Sequence, residues 1–349
     1  MVFMSAMDLD EGVHVLDDHD TGLNGVIAIH STALGPAAGG CRVWEYSDQA
    51  ELVTDAIRLA RGMSYKNALA GLPFGGGKAV LMRPSGDFDR AAFFRAFGSS
   101  VAKLDGRYIT AEDVGTTVAD MRMVRDRTRF VAGLEKNGSA AGGDPSPWTA
   151  KGVYESMKMA AQGVLQLNLK DAKVAIQGVG SVGAGLARLL AAEGAHLVVA
   201  DVDEARAAGI AYELGALHVG ADELLGVETD ILAPCALGAV LNDMTVPSLK
   251  TRLICGAANN QLEHDRHGED LRLRGIVYTP DYVVNAGGII NVAAEYLGET
   301  TSDVRKRVGQ IAPRLMRILH EAGEQGVATN VFADNLARTT ISEMRTCAA

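Results

Sequence analysis

Two lysines that flank a glycine-rich segment are the residues of this sequence best suited to polar chemistry. Lys66 and Lys78 enclose the stretch KNALAGLPFGGGK. One amine could hold a carboxylate as a cation, and a second amine could accept protons where its surroundings favour the neutral form. A phosphate-binding P-loop would need glycine where Leu72 stands and a hydroxyl residue where Ala79 stands. The segment therefore predicts a reactive centre with two amines, not a nucleoside triphosphatase.

A second motif, GVGSVG at residues 178–183, has the glycine spacing of a dinucleotide-binding turn. It lies between an apolar run and a helical stretch, which is the context that this turn requires. The glycines would let pyrophosphate approach backbone N–H groups at the helix N-terminus. Asp201 ends the next apolar run, and its carboxylate would accept hydrogen bonds from the ribose of the cofactor. The same carboxylate would repel a 2′-phosphate, which favours NAD, although Arg206 nearby leaves tolerance of NADP open. The predicted cofactor site comprises Gly178, Val179, Gly180, Ser181, Val182, Gly183 and Asp201.

Short apolar runs alternate with helical segments through the second half of the sequence. Strands are predicted at 173–177, 196–200, 230–233, 252–255 and 275–279. This alternation is typical of a parallel sheet with helices on both faces. In the first half we predict strands at 26–29 and 79–82, a small-residue loop at 34–42 and a helix at 49–63. Further on, Pro313 should kink or shorten the helix predicted from Val304 to Leu319.

Length and pattern together predict an α/β protein with two domains. The 349 residues exceed the roughly 250–300 at which one hydrophobic core stops growing. Residues 133–147 concentrate glycine, proline and serine, which indicates a boundary. We expect a substrate-binding and catalytic domain at 1–135 and a Rossmann-type, doubly wound NAD-binding domain at 136–324, separated by a cleft. A C-terminal helix at 325–349 is expected to pack back on the first domain.

Composition narrows the class of partner. The chain carries 33 basic and 43 acidic side chains, a formal charge of −10, which disfavours nucleic acid and anionic membrane surfaces. It has neither a secretory leader pattern nor an apolar run long enough for a membrane helix, so we expect a cytoplasmic protein. The scattered cysteines lack metal-ligand spacing and predict reduced thiols and no metal site. They are Cys41, Cys235, Cys255 and Cys347.

Motifs along nearly the whole chain resemble the glutamate, leucine, phenylalanine and valine dehydrogenase family. The segment from the first lysine to the second matches the signature of that family, and further motifs follow in the same order. These are GPAAGGCR at 35–42, TAEDVGT at 110–116, the GVGSVG turn, APCALG at 233–238, GAANN at 256–260 and DYVVNAGG at 281–288. The resemblance implies a homo-oligomer that catalyses reversible, NAD-dependent oxidative deamination of an L-amino acid to its 2-oxo acid and ammonia.

The resemblance also implies a role for each matching residue. Lys66 would hold the substrate carboxylate, Lys78 would be the general base, and Asp113 would relay protons to and from the nitrogen. Further implied contacts are Gly39, Gly40 and Asn285 for the substrate, and Thr149 and Asn259 for the nicotinamide amide and ribose.

The substrate side chain should be apolar. Glutamate-specific relatives resemble one another in having a lysine and a serine at the positions held here by Ala38 and Val292. Neither residue can pair with a distal carboxylate, so a buried glutamate side chain would be left uncompensated. Ile289 and Val292 resemble the lining of leucine-type enzymes, which favours leucine, valine and isoleucine. The small Ala38 resembles some phenylalanine enzymes, so phenylalanine or another aromatic amino acid stays an alternative.

Two other classes of protein fit the sequence less well. A catalytically silent NAD-binding sensor or scaffold would not need Lys66, Lys78, Asp113 and Asn285 together. A 2-hydroxy acid dehydrogenase usually employs a histidine as proton carrier, and the eight histidines have no motif context comparable to that of the two lysines. The combined motifs favour an amino acid dehydrogenase.

Overall fold

A computed structural model describes residues 12–134, 138, 140–236 and 238–348, with residues 347 and 348 described by backbone alone. The chain divides into two compact units. The first comprises Met1–Asp144, Asn291–Val304 and Ala337–Ala349, and the second comprises Pro145–Ile290 and Arg305–Leu336. The predicted domain limit between residues 135 and 136 lies outside the described residues, and the predicted domain ranges stay predictions.

The first unit is built on a mixed sheet of five strands. They are β1 (Gly12–Asp18), β2 (Leu23–Ser31), β3 (Ala37–Trp44), β4 (Gly75–Met82) and β5 (Tyr108–Glu112), in the spatial order β1-β2-β4-β3-β5. The β1–β2 and β2–β4 pairs are antiparallel, whereas β3 pairs in parallel with both β4 and β5. Cys41 on β3 is level with Ala79 on β4 and with Glu112 on β5. This register brings Lys78 and Asp113, one residue away on each side, to neighbouring positions across β3.

Helices cover both faces of this sheet. α1 (Gln49–Ala70) packs its apolar stripe against Val26, Ala28 and Val80, which point to one face. α2 (Arg90–Ala102) and α3 (Val118–Arg125) join the cluster on the other face, where Phe93, Phe94 and Phe97 of α2 are fully buried. α1 begins where the Asp48 side chain accepts the N–H of Glu51 at 2.8 Å, and it ends at Gly71 in the left-handed conformation (φ 66°).

The second unit contains a fully parallel sheet of six strands. They are β6 (Lys173–Gln177), β7 (His196–Ala200), β8 (Leu217–His218), β9 (Ile231–Pro234), β10 (Leu253–Ile254) and β11 (Val277–Tyr278), in the order β11-β10-β9-β6-β7-β8. The chain runs outward from β6 to β8 and then restarts at β9 on the other side of β6. This is the doubly wound arrangement, with its switch point between β6 and β9, where ligands bind in such sheets. The predicted fold class is confirmed.

The helices of the second unit are α4 (Ser146–Leu165), α5 (Ser181–Glu193), α6 (Glu204–Leu214), α7 (Arg266–Leu273), α8 (Asp281–Val284) and α11 (Ile311–Gln325). Three others contain residues of both units: α9 (Gly287–Tyr296), α10 (Thr301–Val308) and α12 (Thr329–Ala348). In the described part of the chain, no helix is long and apolar enough to cross a membrane.

Two local expectations need revision. The predicted loop at 34–42 is largely strand β3, because Gly39 and Gly40 let neighbouring backbone approach where side chains would collide. The apolar stretch from Val304 to Leu319 is two helices, α10 and α11, and Pro313 lies in the first turn of α11. A proline there removes an N–H that has no partner within the helix, so it starts α11 without kinking it.

Candidate active site

The glycine triplet before Lys78 allows three different neighbours to approach β4. A Cβ on Gly75 would lie 1.8 Å from the carbonyl oxygen of Ser31 on β2, and one on Gly76 would lie 2.0 Å from the backbone nitrogen of Ser64 on α1. A Cβ on Gly77 would lie 2.9 Å from the ring of Tyr108. The triplet is therefore a packing device that lets strand, helix and aromatic ring meet beside the lysine.

Lys78 is buried in the sheet and forms an ion pair with Asp113. Its side chain is 6% exposed, and its Nζ lies 2.6 Å from Asp113 Oδ2. Arg42 Nε lies 3.5 Å from the same oxygen, and Arg42 Nη1 contacts Asp55 Oδ2 at 2.9 Å. A carboxylate that touches a buried amine at this distance can exchange a proton with it directly.

The same contacts control the charge of Asp113. Burial would raise the pKa of this carboxyl, but the positive charges of Lys78 and Arg42, with hydrogen bonds from Lys78 and the Val114 N–H, outweigh it and lower the pKa to about 2. Asp113 is therefore a carboxylate at neutral pH, and its negative charge faces Lys78 and Arg42.

Lys66 lies on the last turns of α1, partly buried. The buried side chain of Asn67 next to it donates from Nδ2 to the carbonyl oxygens of Gly75 at 2.6 Å and Ala38 at 3.4 Å. Together with the close approach of Ser64 to Gly76, these bonds fix this part of α1 to β3 and β4. The sheet thus brings the backbone around Lys66 to the strands that carry Gly39, Gly40 and Lys78.

Ala38, Gly39 and Gly40 follow one another on β3 and are buried. A Cβ on Gly39 would lie 1.9 Å from the carbonyl oxygen of Gly77, and one on Gly40 would lie 2.8 Å from Cβ of Asp113. The family resemblance implies that these glycines contact the substrate, and in the structure their missing side chains make room for the Gly77 backbone and for Asp113. Their contact with a substrate stays a prediction.

Asn285 and Asn259, assigned separately to substrate and cofactor, contact each other in the second unit. Asn285 Nδ2 donates to Asn259 Oδ1 at 2.9 Å and to the carbonyl oxygen of Ala257 at 3.0 Å. Asn285 Oδ1 is buried and has no hydrogen-bond partner among the residues that the structure describes. A buried acceptor of this kind costs free energy unless a ligand donor satisfies it. Ile289 and Val292 follow on α9, both partly buried.

The GVGSVG turn follows β6 at the switch point and leads into α5. Gly178 has a φ of +89°, and a Cβ on Gly183 would lie 1.9 Å from the carbonyl oxygen of Gly178. Gly180 precedes the first residue of α5, no side chain caps the helix there, and a Cβ on Gly180 would meet no atom within 4 Å. Free N–H groups beside open space at a helix N-terminus suit a pyrophosphate. Ser181 is exposed, Val182 is partly buried and Val179 is buried.

Asp201 follows β7 and is tied to this turn. Its Oδ2 accepts the N–H of Val179 at 2.8 Å, its Oδ1 accepts the N–H of Asp203 at 2.9 Å, and Arg206 Nη1 lies 3.5 Å from Oδ1. Burial raises the pKa of Asp201, but these backbone donors and Arg206 outweigh it, so the pKa is lowered. The carboxylate holds the turn and keeps lone pairs for a ribose hydroxyl.

Thr149 lies in the first turn of α4, and its Oγ1 would be 2.7 Å from a Cβ on Gly288.

Two residues of the first unit were not assigned from the sequence. Arg42 ends the GPAAGGCR motif, so its place in the motif was a signal, but its contact with Asp113 depends on β3 lying beside the end of β5. Tyr108 precedes TAEDVGT and has no sequence signal. The predicted absence of a metal site stays a prediction; no group of three potential metal ligands occurs within the described ranges.

Comparison with known proteins shows which family the chain resembles over most of its length. The sequence profile of the "Glu/Leu/Phe/Val dehydrogenase, dimerisation domain" matches residues 11–130, and that of "Glutamate/Leucine/Phenylalanine/Valine dehydrogenase" matches residues 211–342. Leucine dehydrogenase of Bacillus cereus is 47% identical over 336 residues, which cover 96% of this chain and 92% of that protein. Valine dehydrogenase of Streptomyces coelicolor is 46% identical over 349 residues, covering 99% and 95%.

A solved structure gives the same result. The crystal structure of L-tryptophan dehydrogenase from Nostoc punctiforme superimposes with a TM-score of 0.83 and 40% sequence identity, covering 96% of each chain. Identity at this level over nearly the full length confirms the resemblance that the motifs indicated, and the chain belongs to the glutamate/leucine/phenylalanine/valine dehydrogenase family.

Proposed function

We propose that this protein is an NAD-dependent dehydrogenase that converts an apolar L-amino acid and water reversibly into the 2-oxo acid and ammonia. The observation that carries the proposal is the buried Lys78–Asp113 pair, 2.6 Å apart, in a chain that also has an open dinucleotide turn after β6. A nucleotide-binding sensor would need the turn but would gain nothing from a lysine buried against a carboxylate, which costs desolvation free energy.

Each residue has a task in this reaction. Lys66 supplies a fixed positive charge for the substrate carboxylate. Lys78 takes a proton from the water that adds to the imino carbon, and Asp113 exchanges that proton with Lys78 and passes protons to and from the nitrogen. The buried Oδ1 of Asn285 accepts a hydrogen bond from the substrate amino group.

The GVGSVG turn would hold the cofactor pyrophosphate, Asp201 its adenosine ribose, and Thr149 and Asn259 its nicotinamide end. Bound NAD would supply the acceptor for the α-hydrogen of the amino acid, which would leave as a hydride. The carboxylate of Asp201 favours NAD over NADP because it would repel a 2′-phosphate.

Leucine, valine and isoleucine are the preferred substrates in this proposal. Ala38 and Val292 offer no charge to a distal carboxylate, and the leucine and valine dehydrogenases named above are 46–47% identical to this chain. An aromatic amino acid is the second candidate, because Ala38 is small and the L-tryptophan dehydrogenase is 40% identical. We also propose a homo-oligomer, since the profile matched by residues 11–130 is described as a dimerisation domain. Light scattering of the purified protein tests the oligomer.

The activity test follows NADH formation at neutral to alkaline pH with L-leucine, L-valine, L-isoleucine, L-phenylalanine, L-tryptophan and L-glutamate, and repeats the best substrate with NADP. We expect the highest kcat/KM on a branched apolar amino acid with NAD. Lys78→Ala should lower kcat by about 10²-fold or more. The matched control Lys103→Ala removes an exposed lysine of the first unit and should leave kcat unchanged. Highest efficiency on glutamate would contradict the substrate proposal, and a normal rate from folded Lys78→Ala would contradict the assigned base.

A further inference from the structure

The pairing of β3 with β4 is interrupted beside Lys78. Ala37 and Ala38 pair with Gly75 and Gly76, and regular pairing resumes where Cys41 meets Ala79. Between these points, the register leaves two residues on each strand unpaired with the other: Gly39 and Gly40 on β3, and Gly77 and Lys78 on β4. On its other edge β4 is paired at both residues, since Ile29 and Ala28 of β2 lie opposite Gly77 and Lys78, and a bulge on β2 follows between Ile29 and Ser31. The gap is therefore confined to the side of β4 that faces β3.

The hydroxyl of Tyr108 fills this gap. It donates to the carbonyl oxygen of Gly39 at 2.7 Å, lies 3.3 Å from that of Gly40, and accepts the N–H of Ala79 at 3.0 Å. Tyr108 is fully buried, and burial raises the pKa of its hydroxyl. The hydroxyl thus keeps its proton and can serve as donor and acceptor at once.

Glycines on both strands make room for this insertion. A Cβ on Gly77 would lie 2.9 Å from Cδ2 of the Tyr108 ring, and a Cβ on Gly39 would lie 1.9 Å from the carbonyl oxygen of Gly77. Tyr108 stands on β5, so its side chain spans the width of β3 to reach β4. The arrangement therefore requires a glycine at position 77, next to the ring, and a side chain as long as that of tyrosine at position 108.

We propose that Tyr108 is a positioning residue for Lys78, an inference that rests on the proposed role of Lys78 as proton acceptor. The N–H of Ala79 belongs to the peptide bond that Lys78 begins, so the hydrogen bond to Tyr108 fixes the plane of that peptide. The same hydroxyl fixes the carbonyl group of Gly39, a predicted substrate contact. One hydroxyl thereby sets the distance between the lysine and the glycine pair, and it acts on the reaction only through them.

The test compares Tyr108→Phe with wild type. Removing the hydroxyl leaves the Gly39 carbonyl and the Ala79 N–H without their partner, and the strands should shift. We expect kcat for the best amino acid to fall about 10-fold or more, because small misplacements of reacting groups are costly. NADH affinity, which depends on the second unit, should stay within about twofold. The matched control is Tyr154→Phe, which removes a hydroxyl of the second unit that donates to Glu193 at 2.5 Å. The kcat of this control should not change.

A second readout does not depend on turnover. Lysines are labelled briefly with acetic anhydride in the absence of substrate, and the labelling rates of Lys78 and of exposed Lys103 are measured by peptide mass spectrometry. In Tyr108→Phe, labelling of Lys78 should change by about threefold or more while labelling of Lys103 stays constant, because only the local packing changes. If Tyr108→Phe does not fold, p-aminophenylalanine at position 108 takes its place. Its amine still donates to Gly39 but accepts the Ala79 N–H poorly, so Lys78 labelling should change in the same way.

The outcomes separate this inference from the proposed function. If wild type oxidises no amino acid, the proposed function fails, and the labelling rates still test whether Tyr108 positions Lys78. Tyr108→Phe could instead fold with a lower melting temperature while kcat and the labelling rate of Lys78 stay unchanged. This result would show that the hydroxyl only stabilises the sheet, and the inference would be wrong.

Discussion

Replacing Asp113 by asparagine should destabilise the protein in a pH-dependent way. The substitution keeps the shape of the side chain but removes the negative charge that faces Lys78 at 2.6 Å and Arg42 at 3.5 Å. The pKa of Asp113 is about 2 in the folded protein against an ordinary value of 3.8. This difference corresponds to stabilisation on the order of 2 kcal/mol at neutral pH. Leaving Lys78 buried without its partner adds to the cost, so we expect a total loss of about 2 to 5 kcal/mol.

The pH dependence follows from the direction of this shift. Because the folded pKa of Asp113 lies below its unfolded value, its contribution is complete above about pH 4 and is lost as the pH falls towards 2. Roughly 1 kcal/mol of it should be gone at pH 3. Wild type should therefore lose roughly 1 kcal/mol more stability between pH 5 and pH 3 than Asp113→Asn does.

The assay is urea unfolding, followed by circular dichroism at one fixed protein concentration, because subunit association changes apparent stability. Asp126→Asn is the matched control: it neutralises a carboxylate that pairs with Arg95 at 3.0 Å, with both side chains well exposed. Exposed pairs contribute roughly 1 kcal/mol or less, so the control should differ little from wild type. The prediction is wrong if Asp113→Asn and Asp126→Asn lose the same free energy of unfolding at pH 7. It is also wrong if wild type and Asp113→Asn lose stability in parallel from pH 5 to pH 3.

Three further predictions concern the two binding sites. Lys66→Met should raise KM for the amino acid about 10-fold or more without changing NADH affinity, because a fixed cation is lost, whereas Lys103→Met should leave both constants unchanged. Gly183→Ala should lower the melting temperature, because the new Cβ would lie 1.9 Å from the carbonyl oxygen of Gly178. Gly180→Ala places its Cβ in open space, so this variant should fold normally and only weaken NADH binding in fluorescence titrations. Equal melting temperatures for the two variants would contradict this prediction. Asp201→Asn should raise the dissociation constant for NADH about tenfold and reduce the preference over NADPH; an unchanged ratio of the two would contradict the role of its charge.

The periodic and motif-bearing parts of this chain could be predicted from sequence. Alternating apolar runs indicated β6, β7 and β9, and the glycine spacing placed the turn after β6, because both signals depend on residues close together in the sequence. The resemblance implied a role for Lys78 and a role for Asp113, but their ion pair was not predicted, because the two residues are far apart in the chain and meet across β3.

Other features had no local signal. The strand β3 was predicted as a loop because glycine is a poor strand former, and its fit depends on the oxygen of Gly77 and on Asp113 beside it. The role of Tyr108 could not be predicted, because a tyrosine in a buried strand usually fills the core and nothing in the sequence shows that its hydroxyl enters the neighbouring strand pair. Close backbone contacts of this kind are decided by tertiary packing.

The most direct test of the proposed reaction is the fate of the hydrogen on the α-carbon. L-leucine deuterated at that carbon is incubated with the protein and NAD, and the NADH is analysed by mass spectrometry while ammonia and 2-oxo acid are quantified. We expect one deuterium in each NADH formed, with equal amounts of ammonia and 2-oxo acid. NADH without deuterium, or NADH formed without release of ammonia, would contradict the proposed reaction.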